Sequence, residues 1–181
     1  MPGVPVSSSP VSGSPVSGFP GAAAPLVVFA LADRLCALPA DAVAQILPMM
    51  DLARPPGVPP LLAGIAMLGR TAVPVVRLAR LFDLPEQPAT AGTALLHLRG
   101  EPPRLLLVDR AVAVLDPPEE RLPLAEGTTF AGVAVAGFAL PQGACVLLDP
   151  ARLLLREEER RIDAFLALER ERLARAGAGV P

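Results

Sequence analysis

Residues 61–78 read LLAGIAMLGRTAVPVVRL, two apolar runs separated by Gly69-Arg70. A two-residue break that contains glycine is typical of the turn between antiparallel strands, because glycine adopts positive φ without a Cβ clash. This stretch therefore predicts a β-hairpin with strands at 61–68 and 71–76. Pro74 fits an edge strand or a bulge, and Gly64 fits a conformation that a Cβ would hinder.

Similar short apolar runs lie on both sides of this hairpin. On the N-terminal side, 26–32 and 35–38 flank the turn Asp33-Arg34, 43–46 forms a third strand, and five prolines make 48–60 a loop. On the C-terminal side we predict a helical turn (78–82), strands at 93–99, 104–109, 111–115, 132–140 and 144–148, and a polar loop at 116–129. Short strands divided by proline and glycine indicate an all-β barrel architecture.

The uncharged segment 127–148 is long enough to be considered as a membrane span. Pro141-Gln142-Gly143 interrupts it, and Gly132 and Gly137 add further breaks. Two buried strands joined by a turn explain the segment better.

The two ends of the chain differ from this β-rich part. Residues 1–25 consist almost entirely of Pro, Ser, Gly, Val and Ala, which predicts a disordered tail, and we expect a disordered end at 177–181. Residues 156–176 predict one long amphipathic helix, with glutamates at its start, arginines at its end, and Ile162, Phe165, Leu166 and Leu173 on one face. This helix either packs on its own domain or docks on a partner.

Composition limits the classes of function. The 181 residues suffice for one domain, and 16 arginines without any lysine against 18 acidic residues give a net charge of −2. This balance gives no basic footprint for nucleic acid. The single His97 and the distant Cys36 and Cys145 form no recognisable metal or nucleophile–base cluster, so we predict no enzyme activity, metal or cofactor. Without a signal peptide, two cysteines fit a reducing cytoplasm.

Four segments together resemble the CheW-like domain family. Residues 27–47 (VVFALADRLCALPADAVAQIL) are similar to the family's opening strands, and 64–78 match its G-V-x-N-L-R-G-x-x-x-P-V-x-D-L motif at Gly64, Leu68, Pro74, Val75 and Leu78. Residues 105–109 (LLLVD) are similar to its G-L-x-V-D strand. Residues 130–133 with 146–154 resemble its closing motif. The resemblance places a CheW-like domain at 26–155.

The resemblance implies a fold and a function. It implies an all-β fold with a C-terminal helix, in which two small five-stranded SH3-like barrels share one core. It also implies a cytoplasmic, non-enzymatic adaptor that couples the cytoplasmic tip of a chemoreceptor to the regulatory domain of a CheA-type histidine kinase, without insertion into the membrane. The alternative is a structural or assembly β-module of a motility or other signalling apparatus that has lost receptor coupling.

Departures from the family motif concern its polar contact residues. The family's contact arginine falls on Gly69, with Met67 and Arg70 beside it, its acidic strand residue falls on Gln45, and the Asp of P-V-x-D-L falls on Arg77. We therefore predict a partner-binding face composed of Gln45, Met67, Gly69, Arg70 and Arg77. Asp109 follows an apolar run, and its position fits two roles, a carboxylate that caps a turn or a contact to a partner.

Overall fold

The computed structural model describes residues 24–124 and 130–177, which contain two β-sheets. The eleven strands described are β1 (Leu26–Leu31), β2 (Arg34–Pro39), β3 (Val43–Pro48), β4 (Leu62–Leu68), β5 (Thr71–Arg77), β6 (Ala94–Leu98), β7 (Arg104–Val108), β8 (Arg110–Leu115), β9 (Arg121–Leu122), β10 (Ala134–Leu140) and β11 (Gly143–Leu148). The helices are α1 (Leu78–Leu81) and α2 (Arg156–Gly177), with short 3-10 turns at Ala40–Ala42, Phe130–Gly132 and Pro150–Arg152.

Both sheets contain parallel and antiparallel pairs, and the two have the same central arrangement of strands. The first sheet has the strand order β8-β1-β2-β11-β10-β9, and the second has the order β3-β6-β7-β5-β4. In each sheet two antiparallel hairpins meet along one parallel pair, β2 with β11 and β5 with β7. The predicted hairpins β1–β2, β4–β5 and β10–β11 are all confirmed.

The two sheets take up different segments of the chain. β3 follows the β1–β2 hairpin in sequence but pairs with β6 in the second sheet. In the same way, β8 follows the β6–β7 hairpin but pairs with β1 in the first sheet. The second sheet is thus formed by one continuous segment, β3 to β7, and the first sheet combines the segments before and after it, β1–β2 and β8–β11.

Three hydrophobic clusters follow from this arrangement. One face of the first sheet packs its own cluster, which includes Val28, Phe138 and Cys145, and one face of the second packs a cluster that includes Val75 and Leu95. Alternate residues of both sheets point to a third cluster, the shared core. It includes Val27, Phe29, Leu38, Leu62, Val76, Leu96, Leu106, Val146, Leu148, Ile162 and Phe165. The two sheets are therefore joined by one hydrophobic interior.

Helix α2 packs on its own domain, which confirms the first of the two interpretations. Ile162, Phe165 and Leu166 are buried in the shared core. Arg104 of β7 donates to Glu159 of α2 at 2.8 Å, and the Arg104 side chain is only 16% exposed. Glu159 thus ties the first half of α2 to the second sheet. The side chain of Leu173 lies outside the described part.

Two expectations need correction. The predicted loop 116–129 contains β9, whose Arg121 and Leu122 pair with Phe138 and Gly137, and residues 125–129 lie outside the described ranges. With β9 the first sheet has six strands rather than five. The sequence did not predict β9, because a two-residue strand is too short to show an apolar pattern. The predicted barrels are not found as closed barrels. In the described residues β8 does not pair with β9, and β3 does not pair with β4, so each sheet keeps two open edges.

The predicted ends fall almost wholly outside the described residues. These are the tail at 1–25, except for its last two residues, and the end at 177–181, except for Gly177, the last residue of α2. Within the described ranges, no helix has the length and the apolar character required to cross a membrane.

Candidate protein-binding surface

The turn between β4 and β5 exposes two unlike side chains. Gly69 has φ +61°, as predicted, and its Cβ position faces open space. Met67 is 57% exposed, although it is a large apolar residue, and Arg70 is exposed beside it. Within the described part of the chain Arg70 takes part in no hydrogen bond or ion pair. The turn therefore presents an apolar and a cationic side chain to solvent.

The base of this hairpin is held by the proline-rich loop. Ala53 and Ile65 exchange two backbone hydrogen bonds of 2.9 Å, so the loop pairs with the outer edge of β4. Arg54 Nε also donates to the Ala63 carbonyl at 3.1 Å. Gly64 has φ +153°, and a Cβ there would lie 2.6 Å from the Ala53 carbonyl oxygen, as its predicted role requires. The exposed turn thus lies at the end of a hairpin whose base is fixed to the proline-rich loop by hydrogen bonds.

Pro74 is accommodated without a lost bond between β4 and β5. Its partner on β4 is Ile65, whose N–H and C=O both bond to Ala53 on the other side. The Ile65–Pro74 pair is therefore a non-hydrogen-bonded pair of the ladder. The pairing of β5 with β7 begins only at Val75, so the position of Pro74 has the character of an edge strand.

A groove adjoins Met67. It has a volume of about 320 Å³ and runs between the hairpin, the proline-rich loop and α2. Ile65, Met67 and Ala72 form one wall, and Leu166 of α2 forms part of the other, with Arg54, Glu169 and Arg170 at the charged positions. The contribution of α2 was not predicted, because sequence alone does not show which elements a helix lies between.

Arg77 lies at the other end of the hairpin. It is separated from the turn by the length of β5, roughly 20 Å at 3.3 Å per residue. Its Nε donates to the Leu62 carbonyl at 3.0 Å, and its Nη1 forms a 2.8 Å ion pair with Glu86. The charge that reverses the family's aspartate is therefore compensated within this chain.

Gln45 lies on β3, at the opposite edge of the second sheet from β4. Its neighbours Ala44 and Ile46 are exposed as well, and Ile46 is a further exposed apolar side chain. Of the five predicted contact residues, the structure brings together Met67, Gly69 and Arg70. It does not bring Arg77 to them, and it places Gln45 on a different strand edge.

Asp109 caps a turn, the first of its two predicted roles. Its Oδ2 accepts a hydrogen bond of 2.6 Å from the backbone N–H of Ala32, in the turn between β1 and β2. Ala32 has φ +54°, which is unfavourable for a residue with a Cβ. The carboxylate therefore holds a strained turn in place.

The two thiols are buried in neighbouring strands but belong to different clusters. Cys36 lies in the shared core and Cys145 in the cluster of the first sheet, so their side chains leave the sheet on opposite faces. Burial raises the pKa of Cys36 to about 12 and that of Cys145 to about 11. Both are therefore protonated, unreactive thiols at neutral pH.

His97 is half-buried on β6. Among the residues that the structure describes, no group of three or more His, Cys, Asp or Glu side chains has an arrangement that would hold a metal ion.

Two mixed sheets on a shared core define the class of this protein as a mixed β-domain with a C-terminal helix. The CheW-like domain model matches residues 25–158, and the chain belongs to this family. The scaffold fold of this family is that of chemotaxis coupling adaptors, which are non-catalytic.

A solved structure has the same fold. The scaffolding protein TtCheW from Thermoanaerobacter tengcongensis superposes with a TM-score of 0.64 at 19% identity, over 74% of this chain and 88% of that chain. A comparison with curated proteins finds no match.

Proposed function

We propose that this protein is a cytoplasmic adaptor that couples a chemoreceptor to a CheA-type histidine kinase. The observation that carries the proposal is the exposed turn of Met67, Gly69 and Arg70, which lies at the family's contact motif within the matched domain. Arginine is a frequent anchor of protein interfaces, and a large exposed apolar side chain beside it favours a binding role.

The proposed partners are the regulatory domain of the kinase and the cytoplasmic tip of the receptor. The adaptor acts through these interfaces and performs no chemistry of its own. The near-neutral charge of the chain, without lysine, supports protein rather than nucleic acid as the partner.

Met67 and Arg70 form the centre of the proposed contact. Arg77 has a supporting role, because its guanidinium is engaged by Leu62 and Glu86 and holds the open end of the hairpin. Gln45 contributes from the β3 edge as a separate contact. The proposal thus divides the five predicted residues between contact and support.

The proposed fold detail is a pair of SH3-like barrels. Two features support it. Each sheet has its own apolar cluster on one face, and the strands at the two edges of each sheet, β8 with β9 and β3 with β4, are consecutive along the chain. A strongly curved sheet brings such edges towards each other.

The test is the substitution Arg70→Glu, measured by calorimetric titration with purified kinase regulatory domain and, separately, with a receptor-tip fragment from the same cell. We expect at least one affinity to fall by about 1–3 kcal/mol, roughly 5- to 150-fold, as for an interface anchor. Arg121→Glu is the matched control, because Arg121 is exposed on β9 in the other sheet.

Three outcomes are informative. A selective loss with Arg70→Glu supports the proposal, and an equal loss in both variants indicates a general effect of charge instead. If the wild-type protein binds neither fragment, receptor–kinase coupling is excluded and the alternative, a structural or assembly module, is favoured.

A further inference from the structure

Helix α2 has an exposed stripe that packing on its own domain does not explain. Its inner face is occupied by Ile162, Phe165 and Leu166, which are buried. Six other residues of the helix are exposed and follow one another at alternating spacings of four and three, the spacing of a coiled-coil seam. These are Glu157, Arg161, Ala164, Leu168, Glu171 and Arg175.

The stripe is complementary to itself in one orientation only. When a second copy lies antiparallel across the midpoint of the stripe, Glu157 faces Arg175 and Arg161 faces Glu171. At the centre Ala164 faces Leu168, so a small side chain opposes a large one and the helices approach closely. A parallel pair in register places each charge against its own copy, which is repulsive.

A groove continues from the stripe. It has a volume of about 610 Å³ and lies between α2 and the proline-rich loop, where Pro59, Pro60 and Leu61 form its far side. Arg161, Ala164 and Leu168 belong to both the groove and the stripe. Leu168 is 47% exposed there, so an apolar surface is open beside the complementary charges.

From this self-complementarity we infer that a second copy of the chain covers the stripe, and that two α2 helices form an antiparallel, two-fold symmetric dimer. Such an interface is isologous, because each contact occurs twice. Most of the stripe lies beyond residue 158, where the family match ends. The dimer contact is thus an addition to the CheW-like domain.

The dimer leaves the proposed partner-binding turn uncovered. The groove beside Met67 is lined by Leu166, Glu169 and Arg170, on the opposite flank of α2 from the stripe. Each dimer therefore carries two accessible turns and has the valency to engage two partner molecules at once.

The test is the mass of the full chain by sedimentation equilibrium over about 1 μM to 1 mM, because a short helical interface gives weak association. We expect a concentration-dependent dimer. Glu171→Arg places arginine against Arg161 of the second copy, and we expect the dissociation constant to rise at least about tenfold.

Charge exchange separates contacts between helices from contacts within a helix. In the double variant Arg161→Glu with Glu171→Arg, the opposed charges between copies are restored. The ion pairs Glu157–Arg161 and Glu171–Arg175 within each helix are both replaced by like charges. Rescue of the dimer by the second substitution therefore arises only from contacts between copies.

Asp163→Arg is the matched control, because it makes the same change of charge on another exposed face of α2. Circular dichroism of each variant verifies the helix. A monomeric wild-type chain up to 1 mM overturns the inference. A dimer that Glu171→Arg leaves unchanged, or that the double variant fails to restore, overturns the proposed register.

Discussion

Two hairpin turns of this protein are held in opposite ways. The β1–β2 turn has a residue with a Cβ at positive φ, Ala32, and is held by Asp109, which is 77 positions away. The β4–β5 turn uses Gly69, whose surroundings are open, and no contact from elsewhere in the described chain holds Arg70. The first turn is part of the stability of the domain. The second turn is exposed, and the base of its hairpin is held by hydrogen bonds from the proline-rich loop.

The base of the β4–β5 hairpin gives the largest expected effect. Gly64→Ala places a Cβ 2.6 Å from the Ala53 carbonyl in a backbone conformation with φ +153°. We expect the free energy of unfolding to fall by about 2–4 kcal/mol, from overpacking together with backbone strain. Urea denaturation measures it, and a loss below about 1 kcal/mol would show that the proline-rich loop simply moves away.

The anchored turn comes next. Asp109→Ala removes the acceptor of the 2.6 Å hydrogen bond from Ala32 and leaves its N–H without that partner. We expect a loss of about 1–3 kcal/mol in the free energy of unfolding. Asp109→Asn retains an acceptor oxygen and should lose less. If both variants unfold at the same urea concentration as the wild type, the two turns do not differ as described.

At the exposed turn the expected loss is smaller. Gly69→Ala meets no atom within 4 Å, so only the positive φ of +61° opposes the added Cβ. We expect a loss of about 1 kcal/mol, and less for Gly69→Asn, because asparagine tolerates this conformation better than alanine. If Gly69→Ala lowers the free energy of unfolding as much as Gly64→Ala does, the turn and the base of this hairpin do not differ as described.

The smallest effect on stability is expected at the proposed contact itself. Because Arg70 is exposed and unpaired in the described residues, Arg70→Glu should change the free energy of unfolding by less than about 0.5 kcal/mol. Measured together with partner binding, this separates recognition from folding. Clear destabilisation by Arg70→Glu would assign Arg70 a structural role.

The hairpins could be predicted from local sequence patterns, because the residues within each turn indicate where it lies. The sequence predicted the β4–β5 turn at Gly69-Arg70 and the β10–β11 turn after Leu140. It did not reveal that β3 pairs with β6 and β8 with β1, since the partners Leu96 and Val27 lie far from Ile46 and Val114 along the chain. Pairing over such distances depends on the whole core.

The candidate site shows the same division. Exposure of Met67 and Arg70 follows from their position at a turn. The contacts of Arg77 are made with Leu62 and Glu86, which lie outside the turn. The acidic Glu86, in the loop after α1, was the one signal in the sequence that the charge of Arg77 is neutralised within the chain. The α2 wall of the groove depends on tertiary packing alone.

The parallel pair of β2 with β11 has a consequence for biosynthesis. Leu35 lies opposite Cys145, so about 110 residues are synthesised between the two halves of this ladder. At 5–20 residues per second this takes about 5–20 s. During that interval all strands of the second sheet, β3 to β7, are synthesised, as is β8, the partner of β1, while the outer edge of β2 waits for β11. The nascent chain therefore emerges from the ribosome with an open template for strand pairing.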